Sequence, residues 1–321
     1  MKRIISISIA LLLFAGITLS AVYAHRHATP ESVTQGVVTS NGPSGSVTFH
    51  SQRDGNFNIY RMNLDGSDER RITEDTAADT QPDLSPNGQQ IVFVSNRLTP
   101  TNLEGDTEIF VMNADGSDVT QLTSNGASAV EGWPRWSPNG REIAFHSNSS
   151  GNYEIYIINA DGTGETQVTT YSGFDQFPEW SPSGMQLAIR RDHDVYVIDA
   201  ADGENPVRLT THIALDQMAA WSPDGRHLAF MSLREGYCSV FLMNSDGSSD
   251  PVNLTPKNPT DLPASWCSRA PSWSRNGQQI YFMSFRPSTG GNPDIFVMNA
   301  DGTDVSRLTE AAGEDGFPTV R

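Results

Sequence analysis

Apolar residues come in short bursts along most of this chain, separated by clusters of Gly, Pro, Asn, Asp and Ser. Runs such as Ile91-Val92-Phe93-Val94, Ile155-Tyr156-Ile157-Ile158 and Ile280-Tyr281-Phe282-Met283 are short, β-branched and aromatic, so they predict strands. Their apolar side chains occupy successive positions and do not alternate. A sheet with one wet face would alternate, so these sheets are expected to be covered on both faces.

The turns repeat as well. Trp221-Ser222-Pro223-Asp224-Gly225 recurs as Trp136-Ser137-Pro138-Asn139-Gly140 and Trp180-Ser181-Pro182-Ser183-Gly184. Degenerate copies are Leu84-Ser85-Pro86-Asn87-Gly88 and Trp273-Ser274-Arg275-Asn276-Gly277, and successive serines lie 41 to 52 residues apart. Such a period marks a repeat architecture. One full copy runs from Val130 to Thr169. It predicts a strand at Trp133–Trp136, a Ser-Pro-Asn-Gly reversal, a strand at Glu142–Ser147, a loop, a strand at Glu154–Asn159, an Asp161-Gly162 turn and a closing strand at Gln167–Thr169. The Asp-Gly turn returns at Asp65, Asp115, Asp202, Asp246 and Asp301, and the closing Leu-Thr or its like at Ile72, Leu122, Leu209, Leu254 and Leu308.

Each copy therefore predicts a four-stranded antiparallel sheet packed between neighbours, as propeller blades are. The first copy, Ser46 to Thr73, lacks its first strand, and Phe317-Pro318-Thr319-Val320-Arg321 matches a first strand and nothing more. The expectation is an all-β, six-bladed propeller over residues 46–321, in which the C-terminal strand completes the N-terminal blade and removes the exposed edges.

The pattern P-x-W-S-P-x-G, I-A-F-x-S, E-I-Y-x-M-N-x-D-G and L-T resembles the TolB-like propeller repeat over residues 46–321. The resemblance implies a six-bladed propeller of the cell envelope that binds other proteins. TolB itself carries an N-terminal α/β domain that docks partners, whereas only a spacer precedes the repeats here. The chain is therefore not expected to be the Tol-system component proper. Similar repeats precede hydrolase domains in prolyl-oligopeptidase-like peptidases, but no G-x-S-x-G occurs and no hydrolase domain is expected. Other TolB-like propellers are metal-dependent lyases of pectin fragments. The resemblance thus leaves an enzyme acting on acidic oligosaccharides as the alternative to a protein-binding scaffold.

The N-terminus changes the picture of location. Met1-Lys2-Arg3, an apolar run from Ile4 and the small residues to Ala24 read as a secretory signal over residues 1–24, followed by a flexible spacer over 25–45. If uncleaved, the run just suffices as a membrane tether. No cysteine follows it, so no lipid anchor is expected. The chain is expected in the periplasm or secreted, as a monomer. Its formal charge of −17 argues against nucleic acid and anionic lipid and favours cations or basic protein segments.

Three groups carry candidate chemistry. Asp79, Glu131, Asp175, Asp216 and Asp315, with Ser268 in the sixth place, precede the first strands and should ring one mouth of the central channel. Such a ring would hold a divalent cation or a basic segment. Alternatively the acids cap turns, and Arg53, Arg97, Arg234 and Arg286 neutralise them between blades. Two residues after each acid stand Gln81, Trp133, Phe177, Met218, Ala270 and Phe317. The large members, Trp133, Phe177, Met218 and Phe317, form either a contact patch at that mouth or inter-blade core. Cys238 and Cys267 lie in loops expected on one face of adjacent blades and are a disulfide candidate; two buried thiols are the alternative.

Other motifs fall short. Asn63 to Asp68 and Asn113 to Asp118 loosely resemble a calcium loop, but the Gly falls fourth and not sixth, so hairpin turns are expected. The histidines show no zinc-ligand spacing. No catalytic residue, structural metal or cofactor is assigned from the sequence.

Overall fold

Twenty-four strands, and no helix, make up the described residues, arranged in six antiparallel sheets of four. The computed structural model describes residues 45–124, 129–257, 267–286 and 291–321, all within the unit Pro43–Arg321. The expected signal and all of the spacer but Gly45 lie outside the described residues, with His25 and His27, and so does 258–266 of the linker before blade six.

Blade one contains β1 (Ser46–Ser51), β2 (Asn58–Asn63) and β3 (Arg70–Arg71). Blade two is β4 (Asp79–Leu84), β5 (Gln90–Ser95), β6 (Glu108–Asn113) and β7 (Thr120–Gln121). Blade three is β8 (Glu131–Trp136), β9 (Glu142–Ser147), β10 (Glu154–Asn159) and β11 (Thr166–Gln167). Blade four is β12 (Asp175–Trp180), β13 (Gln186–Arg191), β14 (Asp194–Asp199) and β15 (Val207–Arg208). Blade five is β16 (Asp216–Trp221), β17 (His227–Ser232), β18 (Ser239–Asn244) and β19 (Val252–Asn253). Blade six is β20 (Cys267–Trp273), β21 (Gln279–Phe285), β22 (Asp294–Asn299) and β23 (Ser306–Arg307). The last strand, β24 (Asp315–Val320), returns to blade one, whose order is β24-β1-β2-β3.

The closure expected from the ends of the repeats is therefore present. β24 and β1 pair antiparallel, Val320 opposite Val47 and Asp315 opposite Ser51, and Ser46 and Arg321 exchange backbone hydrogen bonds of 2.9 and 3.2 Å. Thr48 and Thr319 share a buried hydroxyl hydrogen bond of 2.6 Å. Apolar residues of blade one, Val47 and Phe49, form one core cluster with Tyr281, Ile295 and Val297 of blade six, so packing as well as pairing closes the ring. The non-alternating second strands are explained in the same way. Val92 and Val94 of one blade share a cluster with Trp136 and Ile143 of the next, so each sheet is buried on both faces.

Each inner strand is broken by a bulge. In β12, Asp175 and Gln176 face Arg191 and Arg190, and pairing resumes only at Glu179 with Ala188, leaving two residues opposite one. The third residue of five inner strands, and the fourth of β20, has a positive φ: Gln81, Trp133, Phe177, Met218, Phe317 and, in β20, Ala270, at 52 to 56°. This left-handed conformation is rare for bulky residues and costs strain. In five of the six a proline follows, and only Ala219 departs. A proline in a regular strand would forfeit a ladder hydrogen bond; at a bulge on a channel-facing edge it forfeits none.

The Leu-Thr ending also has a physical role. The Thr hydroxyl accepts the first N–H of the following apolar residue in the third strand, as in Ile155 N–H to Thr169 at 2.9 Å, and the same bond recurs at Thr73, Thr123, Thr210, Thr255 and Thr309. Thr169 in turn donates to buried Glu154 at 2.6 Å, and Thr123 to Glu108 at 2.7 Å.

Candidate functional site

The five acids are the first residues of the inner strands, not residues of the preceding loops, because those strands begin two residues earlier than the apolar pattern indicates. Four of them, Asp79, Asp175, Asp216 and Asp315, have no exposed surface, and Glu131 is also buried. Four arginines engage them. Arg97 forks onto both oxygens of Asp79 at 2.8 and 3.0 Å, and Arg191 onto both of Asp175 at 2.8 and 2.7 Å. Arg234 bonds Asp216 at 2.9 Å and Arg53 bonds Asp315 at 2.8 Å. Each pair lies within one blade, which corrects the expected pairing between blades: the loop between second and third strands folds back on its own inner strand. Arg191 was not among the expected partners. It ends the second strand itself, because blade four turns early through Asp192. Burial pushes the Asp79 and Asp216 carboxyls up, against serine hydrogen bonds and the arginines that pull them down.

The residues two places on pack on one another as core shared between blades, with Phe177 and Phe317 partly exposed. Their left-handed backbone turns them into the hub, where side chains from five blades meet. Trp133 stands edge-on to Phe177 at 5.0 Å and to Phe317 at 5.2 Å, with Met218 and Ala270 in the same cluster. Gln81 fills the sixth place and accepts the Trp133 N–H at 2.6 Å. The result is an apolar plug across the channel.

Between acids and plug lies a tier that the sequence did not single out. His146 accepts the Phe177 N–H at 3.3 Å, and His50 the Gln81 N–H at 3.4 Å, each reaching the inner strand of the next blade. Burial, with Arg190 and Arg135 adding, drives the His146 pKa down to about 3. Arg190 and Arg269 share this tier. The legible cue was Gly132 and Gly316, which stand where other blades carry Gln176, Gln217 or Arg269.

The other end of the inner strands opens into a recess of about 250 Å³. Its wall carries Trp136, Trp180, Trp221 and Trp273, and its rim the turn prolines Pro86, Pro138, Pro182 and Pro223. Charged groups are set among them. Arg135 pairs with Glu179 at 2.9 Å and Arg321 with Asp83 at 3.2 Å, while burial pushes the Glu179 carboxyl up. Blade one has no turn here, because its inner strand β24 and its second strand β1 are not consecutive in sequence. Arg275 of blade six reaches over that gap to donate to the Pro86 carbonyl at 2.5 Å.

Cys238 and Cys267 are joined by a disulfide across a Cα separation of 4.4 Å, and Ser268 N–H donates to the Cys238 carbonyl beside it at 2.9 Å. Asn63 to Asp68 and Asn113 to Asp118 are hairpin turns in which the Asp carboxyl serves the turn itself: Asp65 accepts from the Ser67 N–H and hydroxyl at 3.0 and 2.6 Å.

The family model described as the TolB beta propeller domain matches residues 37–133 and 134–269. An uncharacterized protein of Agrobacterium fabrum is 32% identical over 122 residues, 35% of this chain and 41% of that protein. The Tol-Pal system protein TolB of Geobacter sulfurreducens is 33% identical over 66 residues, 20% of this chain and 15% of that protein. The chain thus matches less than half the length of either relative. The crystal structure of TolB from Acinetobacter baumannii superposes with a TM-score of 0.71 at 20% identity, over 86% of this chain and 66% of that one, and shows the shared fold.

Proposed function

The chain belongs to the TolB β-propeller family, and from that premise we propose that it is an exported, monomeric protein-binding scaffold of the cell envelope. The basic, apolar and small-residue leader supports export to the periplasm or beyond. The name of the Geobacter relative, a Tol-Pal system protein, supports an envelope role. The observation that carries the proposal is the recess at the proline-rimmed end of the hub. Six blades locked in a closed ring hold its tryptophans and arginines in place, so a partner segment meets a preorganised pocket. Tryptophan and arginine are the residue types that anchor such contacts. At the opposite mouth arginines engage four of the five acids and the aromatics pack on one another, which favours the recess over that mouth as the docking site. The scaffold needs no cofactor.

Affinity capture from envelope extract tests this, with the exported chain compared with Arg275→Glu and Trp221→Ser variants by quantitative mass spectrometry. An envelope protein retained by the parent and lost from both variants is expected. Retention unaffected by either change, or none at all, would sink the proposal.

A further inference from the structure

Arg190 and Arg269 differ from the arginines around them. Arg53, Arg97, Arg191 and Arg234 each hold a carboxylate within 2.9 Å. Arg190 donates from Nη1 to the Gln217 amide oxygen at 2.8 Å, and its buried Nε has no partner among the described residues. Arg269 donates from Nε to the Met283 sulfur at 3.4 Å, a weak acceptor. The acids that act on them through space are committed elsewhere. Asp192 accepts the Tyr171 hydroxyl at 2.8 Å, and Glu314 lies 3.7 Å from His50. Both arginines are half-buried. Their guanidinium carbons lie over plug rings, Arg190 5.4 Å from Phe177 and Arg269 5.7 Å from Phe317. Phe177 and Phe317 in turn both pack on Trp133.

Two cations thus share one tier of the hub, on an aromatic floor, with no carboxylate hydrogen-bonded to either among the described residues. Withdrawing such charges from water without a partner is costly, and burial lowers the pKa of both. We propose that this tier is a binding site for a small polycarboxylate. One carboxylate would fork onto Arg190 beside Gln217, and a second onto Arg269, with the plug rings excluding water beneath them. A planar, bidentate group suits the guanidinium fork held flat by its ring. The site lies at the mouth opposite the proline-rimmed recess and stands whether or not that recess holds a partner.

Citrate is the probe, titrated calorimetrically into the full exported chain at low salt, with thermal unfolding in parallel. One saturable site is expected, weakened at least about tenfold in Arg190→Met and in Arg269→Met, and unchanged in Arg275→Gln at the far mouth. Citrate should raise the melting temperature of the parent and not of the two Met variants. Without citrate Arg269→Met should melt no lower than the parent, because it loses only a weak thioether contact, whereas Arg190→Met also leaves the buried Gln217 amide unpaired and is read by its citrate response alone. If a Met variant does not fold, the Lys variant at that site, which keeps the charge but loses the fork, carries the same binding expectation. No saturable heat up to about 10 mM citrate, equal binding of sulfate, or unaltered binding in both variants would overturn the site. So would Met variants that melt lower without citrate yet bind it as the parent does, since the arginines would then serve only to pack on the rings and on Gln217.

Discussion

The imidazole of His146 occupies the space that a side chain on Gly132 would need: a Cβ there would lie 2.8 Å from His146 Nε2. His50 and Gly316 repeat the relationship two blades away, at 2.7 Å. In each case the absent side chain lets a histidine from the second strand reach past its own inner strand and accept an N–H from the next blade.

Gly132→Ala should therefore destabilise the propeller by about 1–3 kcal/mol, the usual cost of overpacking a buried site. His146→Ala in the same chain should recover part of that loss, because the two residues compete for one volume. Urea unfolding of the two single variants and the double variant measures the coupling. Additive losses would show that the clash is relieved elsewhere.

His146 also predicts a pH dependence. Its folded pKa of about 3 lies below the ordinary value of 6.5, so between these the unfolded chain binds the proton that the folded chain refuses. Stability from this group is fully present above pH 6.5 and is lost as pH falls towards 3. A His146→Gln variant should lose less stability than the parent between pH 6.5 and 4 in denaturant titrations. Equal slopes would mean that His146 accepts a proton without unfolding.

Thr169→Val keeps the shape of the side chain but removes the acceptor for Ile155 N–H and the donor to Glu154. Both partners stay buried, so a loss of about 1–3 kcal/mol is expected. Thr166→Val, exposed on the outer strand of the same blade, should change little. Chemical denaturation of the pair separates a hydrogen-bonding role from strand propensity.

Replacing both Cys238 and Cys267 by Ser should cost roughly 2–4 kcal/mol, since the bridge closes a loop across a sequence separation of 29 residues. Thiol titration of the denatured, exported chain should find none free. A titre of two would place the pair in the reduced state.

Much of the architecture was legible because strand periodicity and turn chemistry are local. Pro and Gly in Ser-Pro-x-Gly, and Asp-Gly in the second hairpin, constrain φ within a few residues. The unmatched copies at Ser46 and Phe317 sufficed to infer closure. The inner-strand starts were misplaced by two residues because a buried Asp or Glu carries no strand signal of its own. The bulge had a cue, a proline inside a strand that pairs on one side only, but not the direction in which it would aim Trp133.

The sequence alone determined the number of blades, their strand order and the seam where the ends join, since each follows from residues near one another in the chain and from their repetition. The tertiary structure decided what the hub presents. Whether Asp175 is an open charge depends on Arg191 folding back across one blade, and whether Trp133 faces solvent depends on Phe177 and Phe317 arriving from two others. The first contact needs only one blade to form, but the second forms only when blades converge on one axis, where short distances join residues far apart in sequence.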